Sequence, residues 1–310
     1  MKIIKRDYSG DPDKLIMIQL AQQLRRDTLH VTDLPYRLSS WALDEPANVA
    51  LWVAEDNQLV AWAVLQTSFW TADYVYLPDQ KLGLHRKILE WIDNQAHASL
   101  PTRYGQPSWF VDVFADQAER RQELELAGYT DQAELGENAW SKVWMECNGQ
   151  GEIPSYPLPN GYSMRPLAGI DEAGSYVALH QAVFGTKNMT VEWRQRTLLH
   201  PDYLPELDMV ITAPDGRLAA FCIGWLSKTM QGVAIGQIEP LGCHADFRRY
   251  ALGRVVLCET LRRMQQLGVK SIFVETDNYR NTALRLYESV GFQVIRAVLV
   301  YGKDYNQGPI

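Results

Sequence analysis

The most informative segment of the chain reads Arg248-Arg249-Tyr250-Ala251-Leu252-Gly253-Arg254. It follows an apolar extended run that ends at Cys243 and precedes an amphipathic run that begins at Val255. A small-residue loop between a strand and a helix leaves backbone N–H groups unpaired at the positive end of the helix dipole. The segment therefore predicts a loop that binds phosphate, although in isolation an ordinary strand-to-helix turn with exposed arginines would also explain it.

A strand and a second helix follow this loop. The helix that begins at Val255 stops at Gly268, the strand covers Ser271–Thr276, and the second helix covers Thr282–Val290 before a glycine. A last strand is predicted near Gln293–Tyr301. The loop is thus the first connection in a strand, helix, strand, helix series.

The spacing Arg-x-x-small-x-Gly, formed by Arg248, Ala251 and Gly253, resembles the acyl-CoA diphosphate loop of the GNAT superfamily of N-acyltransferases. The segment from Asn281 to Phe292 resembles the helix that follows in that superfamily. One position departs from the family pattern, because Ala251 stands where a glycine is usual. Alanine keeps the backbone amide but tolerates fewer backbone conformations.

The resemblance implies an α/β (α+β) fold in which a mixed, mostly antiparallel sheet is flanked by helices. It also implies that acetyl-CoA is the acyl-donor substrate. The implied cofactor-binding residues are Leu241, Gly242 and Cys243 on the strand, Arg248, Arg249, Tyr250, Ala251, Leu252, Gly253 and Arg254 in the loop, and Asn281 at the second helix. Asn281 would serve equally well as the cap of its own helix.

Two side chains are candidates for the proton transfers of the reaction. In the resembled family, the tyrosine at the position of Tyr287 protonates the departing thiolate, and a phenol with a pKa of about 10 is protonated at neutral pH. Core packing is the alternative role of Tyr287. Glu239 is the candidate general base, or else a substrate anchor or a solvent-facing residue, while Glu275 and His244 are weaker candidates for the base.

The sequence repeats in outline on either side of a stretch rich in proline and glycine, residues 148–161. The segment from Phe110 to Tyr129 aligns without a gap with the segment from Phe273 to Phe292, at an offset of 163 residues. Two hairpins, near residues 51–64 and 209–223, also correspond. We therefore predict a duplicated fold, with domains at 1–147 and 162–310 joined by a linker at 148–161.

The first copy lacks the residues that would bind the cofactor. Ala118 and Leu124 stand where Asn281 and Tyr287 stand in the second copy, and the segment Pro78–His85 lacks the Arg-x-x-small-x-Gly spacing. We therefore predict a degenerate first domain and a catalytic second domain.

Composition limits the classes of protein to which the chain can belong. Its 310 residues, 46% of them hydrophobic and 22% charged, suit a soluble protein of two domains. The net charge of −7 argues against a nucleic-acid partner, and the lack of a long apolar run or a signal core argues against a membrane and for a cytoplasmic protein. Its four cysteines lack ligand spacing, so we expect free thiols and no metal.

The predicted reaction is transfer of an acetyl group from acetyl-CoA to a primary amine of a small molecule. The amine would attack the thioester directly, and strand amides near Leu241 would polarise the carbonyl. Trp193 is the first choice for the wall of the acceptor groove. A peptide or protein amine as acceptor, or a non-catalytic regulator that binds acyl-CoA, remain alternatives, and the oligomeric state is open.

Overall fold

The computed structural model describes residues 2–78 and 83–306. The chain divides into two compact units: unit 1 comprises Met1–Lys142 with Arg296–Ile310, and unit 2 comprises Val143–Ile295. These units differ from the predicted domains 1–147 and 162–310 at the boundary between them and near the C-terminal end of the chain. Unit 1 includes a strand from the C-terminal end of the chain, and unit 2 begins before the linker.

The strands are, in chain order, β1 Ile3–Asp7, β2 Val49–Ala54, β3 Leu59–Gln66, β4 Thr71–Tyr76, β5 Ser108–Phe114, β6 Thr130–Asp131, β7 Ser141–Asn148, β8 Ser163–Pro166, β9 Asp208–Thr212, β10 Leu218–Lys228, β11 Ala234–Cys243, β12 Ser271–Asp277 and β13 Gln293–Asp304. The helices are α1 Asp11–Gln23, α2 Leu34–Arg37, α3 Leu84–Ser99, α4 Ala118–Leu126, α5 Ala173–Phe184, α6 Val191–Leu198, α7 Leu252–Gln266 and α8 Asn281–Glu288.

The main sheet of unit 1 has the strand order β1-β2-β3-β4-β5-β13. Neighbouring strands are antiparallel except β4 and β5, which are parallel and share the single register pair Thr71↔Phe110. One face of the sheet packs against α3 through residues such as Ile88 and Trp109. The other face packs against α1 and α2, with Met17 in that core.

Unit 2 has the strand order β7-β12-β11-β10-β9-β8. Strands β11 and β12 are parallel, with register pairs from Ile235↔Ser271 to Gln237↔Phe273. The main core lies between the sheet and α7, whose apolar face includes Val256, Leu261 and Met264. The fold is therefore α/β with a mixed, mostly antiparallel sheet flanked by helices, as predicted.

The predicted repeat is confirmed in the order of the elements. Strands β5 and β12 begin 163 residues apart, and so do helices α4 and α8. The hairpins β2–β3 and β9–β10 also correspond, each with a short antiparallel connection. In each half, a pair of parallel neighbouring strands, β4–β5 or β11–β12, is thus followed by the corresponding helix.

The proline- and glycine-rich stretch 148–161 forms hydrogen bonds with other parts of unit 2. The Gly149 N–H donates to the Lys270 carbonyl at 2.9 Å, and the Arg262 guanidinium donates to the Pro154 carbonyl at 3.0 Å. A Cβ atom on Gly149 would lie 2.4 Å from the Val269 carbonyl oxygen, so only glycine fits there. The stretch is therefore an ordered part of unit 2.

All four cysteines are free, as expected. Across the two described ranges, no helix is both long and apolar enough to span a bilayer.

Candidate functional site

The candidate site lies where β11 and β12 separate in unit 2. Within the described residues, the register pairs between these two strands end at Gln237↔Phe273, whereas β11 continues to Cys243. Leu241, Gly242 and Cys243 pair with β10 on the other side of β11. The edge of β11 that faces β12 therefore offers backbone donors and acceptors to a ligand that lies along it.

A β-bulge interrupts β11 in the middle of this edge. The register with β10 moves from Gly224↔Ile238 to Cys222↔Leu241, so that Ile223 lies opposite both Glu239 and Pro240. An extra residue of this kind bends a strand and changes the direction of its side chains. Glu239, which is half-buried, thus leaves the strand at a point where the regular alternation is broken.

Gly242 has a packing reason for being glycine. A Cβ atom there would lie 2.6 Å from Cζ of Phe221 and 2.7 Å from Cγ1 of Val183 on α5. The absence of a side chain allows α5 and β10 to approach β11 closely. The predicted role of the Gly242 backbone in binding the cofactor stays a prediction.

The loop after β11 turns sharply before α7 begins. The residues after His244 form a short 3₁₀ turn, Ala245–Phe247, which the His244 ring caps by accepting from the Asp246 N–H at 3.2 Å. Arg249 and Ala251 then adopt left-handed conformations with φ of 80° and 57°. Helix α7 starts without a side-chain cap, so its first N–H groups face the loop.

Ala251 takes the backbone conformation that a glycine would take at little cost. Its φ of 57° and ψ of 18° lie in the left-handed region, which costs a residue with a Cβ atom roughly 1–2 kcal/mol. Ala251 therefore departs from the family pattern in sequence but keeps a left-handed backbone conformation, at the cost of strain.

The side chains of the loop differ in their surroundings. Arg248 and Arg249 are exposed, and Tyr250 lies with its ring 5.8 Å from the Tyr162 ring. Leu252 is buried in the core, while the Arg254 guanidinium lies 5.0 Å above the Tyr156 ring. Arg248 and Arg249 are thus the cations that stand exposed beside the positive end of α7, where an anion is favoured.

Gly253 places its amide against the thiol of Cys243. Burial raises the pKa of the Cys243 thiol, while the Arg248 charge and a hydrogen bond from the Gly253 backbone oppose that rise. A thiol is a weak hydrogen-bond acceptor. A phosphate oxygen would therefore be a stronger partner for this amide than the sulfur is.

Tyr287 and Glu239 lie in one electrostatic neighbourhood. Tyr287 is 7% exposed on α8, with its ring 5.6 Å from the Phe292 ring. Burial raises the pKa of its phenol well above the usual value, and Cys222 and the Glu239 carboxylate raise it further, against the opposing effect of Arg280. The phenol is therefore protonated throughout the neutral range, with a carboxylate near enough to act on it.

Asn281 is the first residue of α8, and its side chain is exposed. The residue at the cap position is Arg280, and no side chain caps this helix start. The capping role considered for Asn281 is therefore wrong, and its contact with the cofactor stays a prediction.

The other candidates are placed less favourably. His244 uses its ring nitrogen to cap the 3₁₀ turn, and Glu275 lies on β12 at the position that Asp112 holds in β5. Trp193 is 1% exposed within α6, so the prediction that it lines the acceptor groove is wrong. Aromatic side chains commonly fill cores, and Trp193 does so here.

In unit 1, a hydrogen-bonded cluster connects β4, α3 and α4. Burial lowers the pKa of His85 to about 3, so the neutral ring donates from Nδ1 to Glu123 at 2.6 Å and accepts from the Tyr74 hydroxyl at 2.9 Å. His85 also stacks on Tyr76 at 4.9 Å, and Arg120 lies 4.3 Å above the Tyr74 ring.

The second copy has small or apolar residues at these places. Arg120 and Glu123 align with Ala283 and Leu286, and His85 is the second residue of α3 as Gly253 is of α7. A groove of about 830 Å³ remains beside the cluster and is lined by residues including Leu24, Tyr76, Pro78, Ala118, Arg120 and Arg296. Of the loop Pro78–His85, residues 79–82 lie outside the described residues.

Comparison with known proteins points to one family. Residues 176–292 match the family described as "Acetyltransferase (GNAT) family". A mycothiol acetyltransferase of Nocardiopsis dassonvillei is 26% identical over 181 residues, which cover 53% of this chain and 54% of the relative. The chain thus spans about half the length of the curated relatives it matches.

Two solved structures share the whole fold. A GCN5-related N-acetyltransferase from Sphaerobacter thermophilus superposes with a TM-score of 0.66 at 19% identity, covering 99% of this chain and 97% of that one. A tandem GNAT protein from the clavulanic acid biosynthesis pathway superposes with a TM-score of 0.64 at 12% identity, covering 99% and 100%. At these identities the likeness concerns the fold.

Replacing Ala251 with glycine should stabilise the protein, because glycine adopts the left-handed conformation without a Cβ penalty. We expect Ala251→Gly to raise the free energy of unfolding by about 1 kcal/mol in equilibrium urea denaturation. The matched control, Ala283→Gly in the right-handed helix α8, should lower it by a similar amount. Equal destabilisation by both variants would show that Ala251 is not left-handed.

Proposed function

The chain belongs to the GNAT superfamily and carries its fold twice in tandem, and on that premise we propose that unit 2 transfers an acetyl group from acetyl-CoA to a primary amine of a small molecule. The observations that support this proposal are the gap between β11 and β12 and the electrostatic interaction of a protonated Tyr287 with the Glu239 carboxylate. A thioester bound in this gap would lie near a proposed acid, Tyr287, and a proposed base, Glu239.

The donor, acetyl-CoA, would bind through its amide-containing arm and through its diphosphate. The amide groups of the CoA arm can extend the sheet along the free edge of β11, at Leu241 to Cys243. The diphosphate would lie at the uncapped start of α7, against the amides of Leu252 and Gly253 and beside Arg248 and Arg249. Asn281 would contact the arm from the start of α8.

The reaction proceeds by direct attack. The neutral amine attacks the thioester carbonyl, a C–N bond forms and the C–S bond breaks, and strand amides near Leu241 stabilise the oxyanion. Glu239 takes the proton that the nitrogen loses. Tyr287 gives its proton to the CoA thiolate and regains one from solvent when the thiol leaves.

A small-molecule acceptor is supported by the relatives that are named mycothiol acetyltransferases. Because the chain matches only about half of their length, we propose the class of acceptor and not its identity. Parallel assays with libraries of small amines and of peptides separate this proposal from acylation of a peptide amine.

Removing the Tyr287 hydroxyl should slow the chemical step and leave donor binding intact. We expect Tyr287→Phe to lower kcat about 100-fold, with KM for acetyl-CoA changed less than about two-fold, in an assay of amine-dependent thiol release. The control is Tyr129→Phe in unit 1, a buried tyrosine at the position aligned with Phe292, which should leave kcat unchanged. Full activity of Tyr287→Phe would remove the acid role.

The raised pKa of Tyr287 also fixes the pH dependence. A phenol with a raised pKa stays protonated as pH rises, so its acid form is lost only above its folded-state pKa. We expect kcat to show no alkaline decline below pH of about 10 that depends on Tyr287. A decline at lower pH that is present in the wild type and absent in Tyr287→Phe would contradict this assignment.

A further inference from the structure

A buried polar network lies behind the bulge of β11 and is not part of the proposed chemistry. Arg194 on α6 and Asp208 at the start of β9 are both fully buried and form an ion pair. The Tyr203 hydroxyl donates to Asp208 Oδ2 at 2.6 Å, and the Arg194 guanidinium lies 3.8 Å above the Tyr176 ring. Since a buried ion pair is expensive to desolvate, this network suggests a role in fixing one arrangement of its neighbours.

Trp225 connects this network to Glu239. Its ring lies 6.4 Å from the Tyr203 ring at an interplanar angle of 61°, and it is 1% exposed. The indole N–H donates to the main-chain carbonyl of Glu239 at 2.7 Å. The contacts thus form an unbroken series from the ion pair to the backbone of the bulge.

The bulge explains why a side chain supplies this hydrogen bond. The change of register at Ile223 disrupts the regular ladder of β10 and β11 at this point. A backbone carbonyl at such a disruption can accept from a side-chain donor. Trp225 provides that donor from the neighbouring strand.

We propose that Trp225 is a positioning residue for Glu239: its indole N–H fixes the peptide plane at the bulge and so sets the direction in which the Glu239 carboxylate leaves the strand. The Arg194–Asp208–Tyr203 network holds the indole in place. This inference rests on the proposed role of Glu239 as the base. Trp225 acts on the reaction only through that carboxylate.

A double-mutant cycle tests this coupling. Trp225→Phe keeps a ring in the core and removes the donor, and should lower kcat about ten-fold with KM for acetyl-CoA changed less than about two-fold. In a Glu239→Gln background, the same substitution should change kcat less than about two-fold, because its route of action is already lost. Single-turnover acetylation, monitored by mass spectrometry of the amine, measures the rate constants of the slow variants.

The control is Trp144→Phe, which alters a buried tryptophan of unit 2 whose ring stacks on Phe273 at 5.5 Å. It should leave kcat unchanged. If Trp225→Phe does not fold, Tyr203→Phe replaces it in the cycle, since it keeps the ring and removes the bond to Asp208. Its loss of kcat should be smaller but should likewise vanish in the Glu239→Gln background.

Equal losses of kcat in both backgrounds, or no loss in the wild-type background, would overturn the positioning role while acetyl transfer by the wild type still supports the proposed function. Failure of the wild type to acetylate any amine would overturn the proposed function itself, and the inference with it.

Discussion

The parting of two parallel strands after Gln237 is the constraint on which the rest of the candidate site depends. While β11 and β12 are paired, their backbone groups satisfy each other, but beyond Gln237↔Phe273 the edge of β11 faces a gap. Helices α7 and α8 follow these two strands in the chain. The proposed site combines this gap with the uncapped start of α7, its exposed arginines, a protonated phenol and a carboxylate.

Duplication gave the two halves the same elements and divergence gave them different chemistry. Each half has a parallel pair of strands followed by a helix at the same offset, but charged and aromatic side chains fill this place in unit 1. Arg120 and Glu123 stand where Ala283 and Leu286 stand in the second copy. The charged side chains of unit 1 satisfy one another by hydrogen bonds, and the aligned positions thus differ in chemistry from those of the second copy.

The features that the sequence predicted are those encoded by local patterns. Turn chemistry and alternation predicted the hairpins β2–β3 and β9–β10, and helical spacing predicted α7 and α8. Long-range features had no such signal: the pairing of β13 with β5 joins residues far apart in the chain, and the burial of Trp193 depends on tertiary packing. The bulge at Glu239 and its bond to Trp225 arise from the register of two strands, which periodicity does not specify.

The start of α7 is proposed to bind the diphosphate of an acyl-CoA, and calorimetric titration with acetyl-CoA tests this binding most directly. Reversing the charge of the exposed pair, in Arg248→Glu with Arg249→Glu, should weaken binding by about 100-fold because charge-assisted contacts are lost. The control, Lys228→Glu with Lys270→Glu, makes the same change of net charge at exposed positions beside Ala234, at the opposite end of β11 from the loop, and should bind like the wild type. Equal affinities of the loop variant and the wild type would contradict the account.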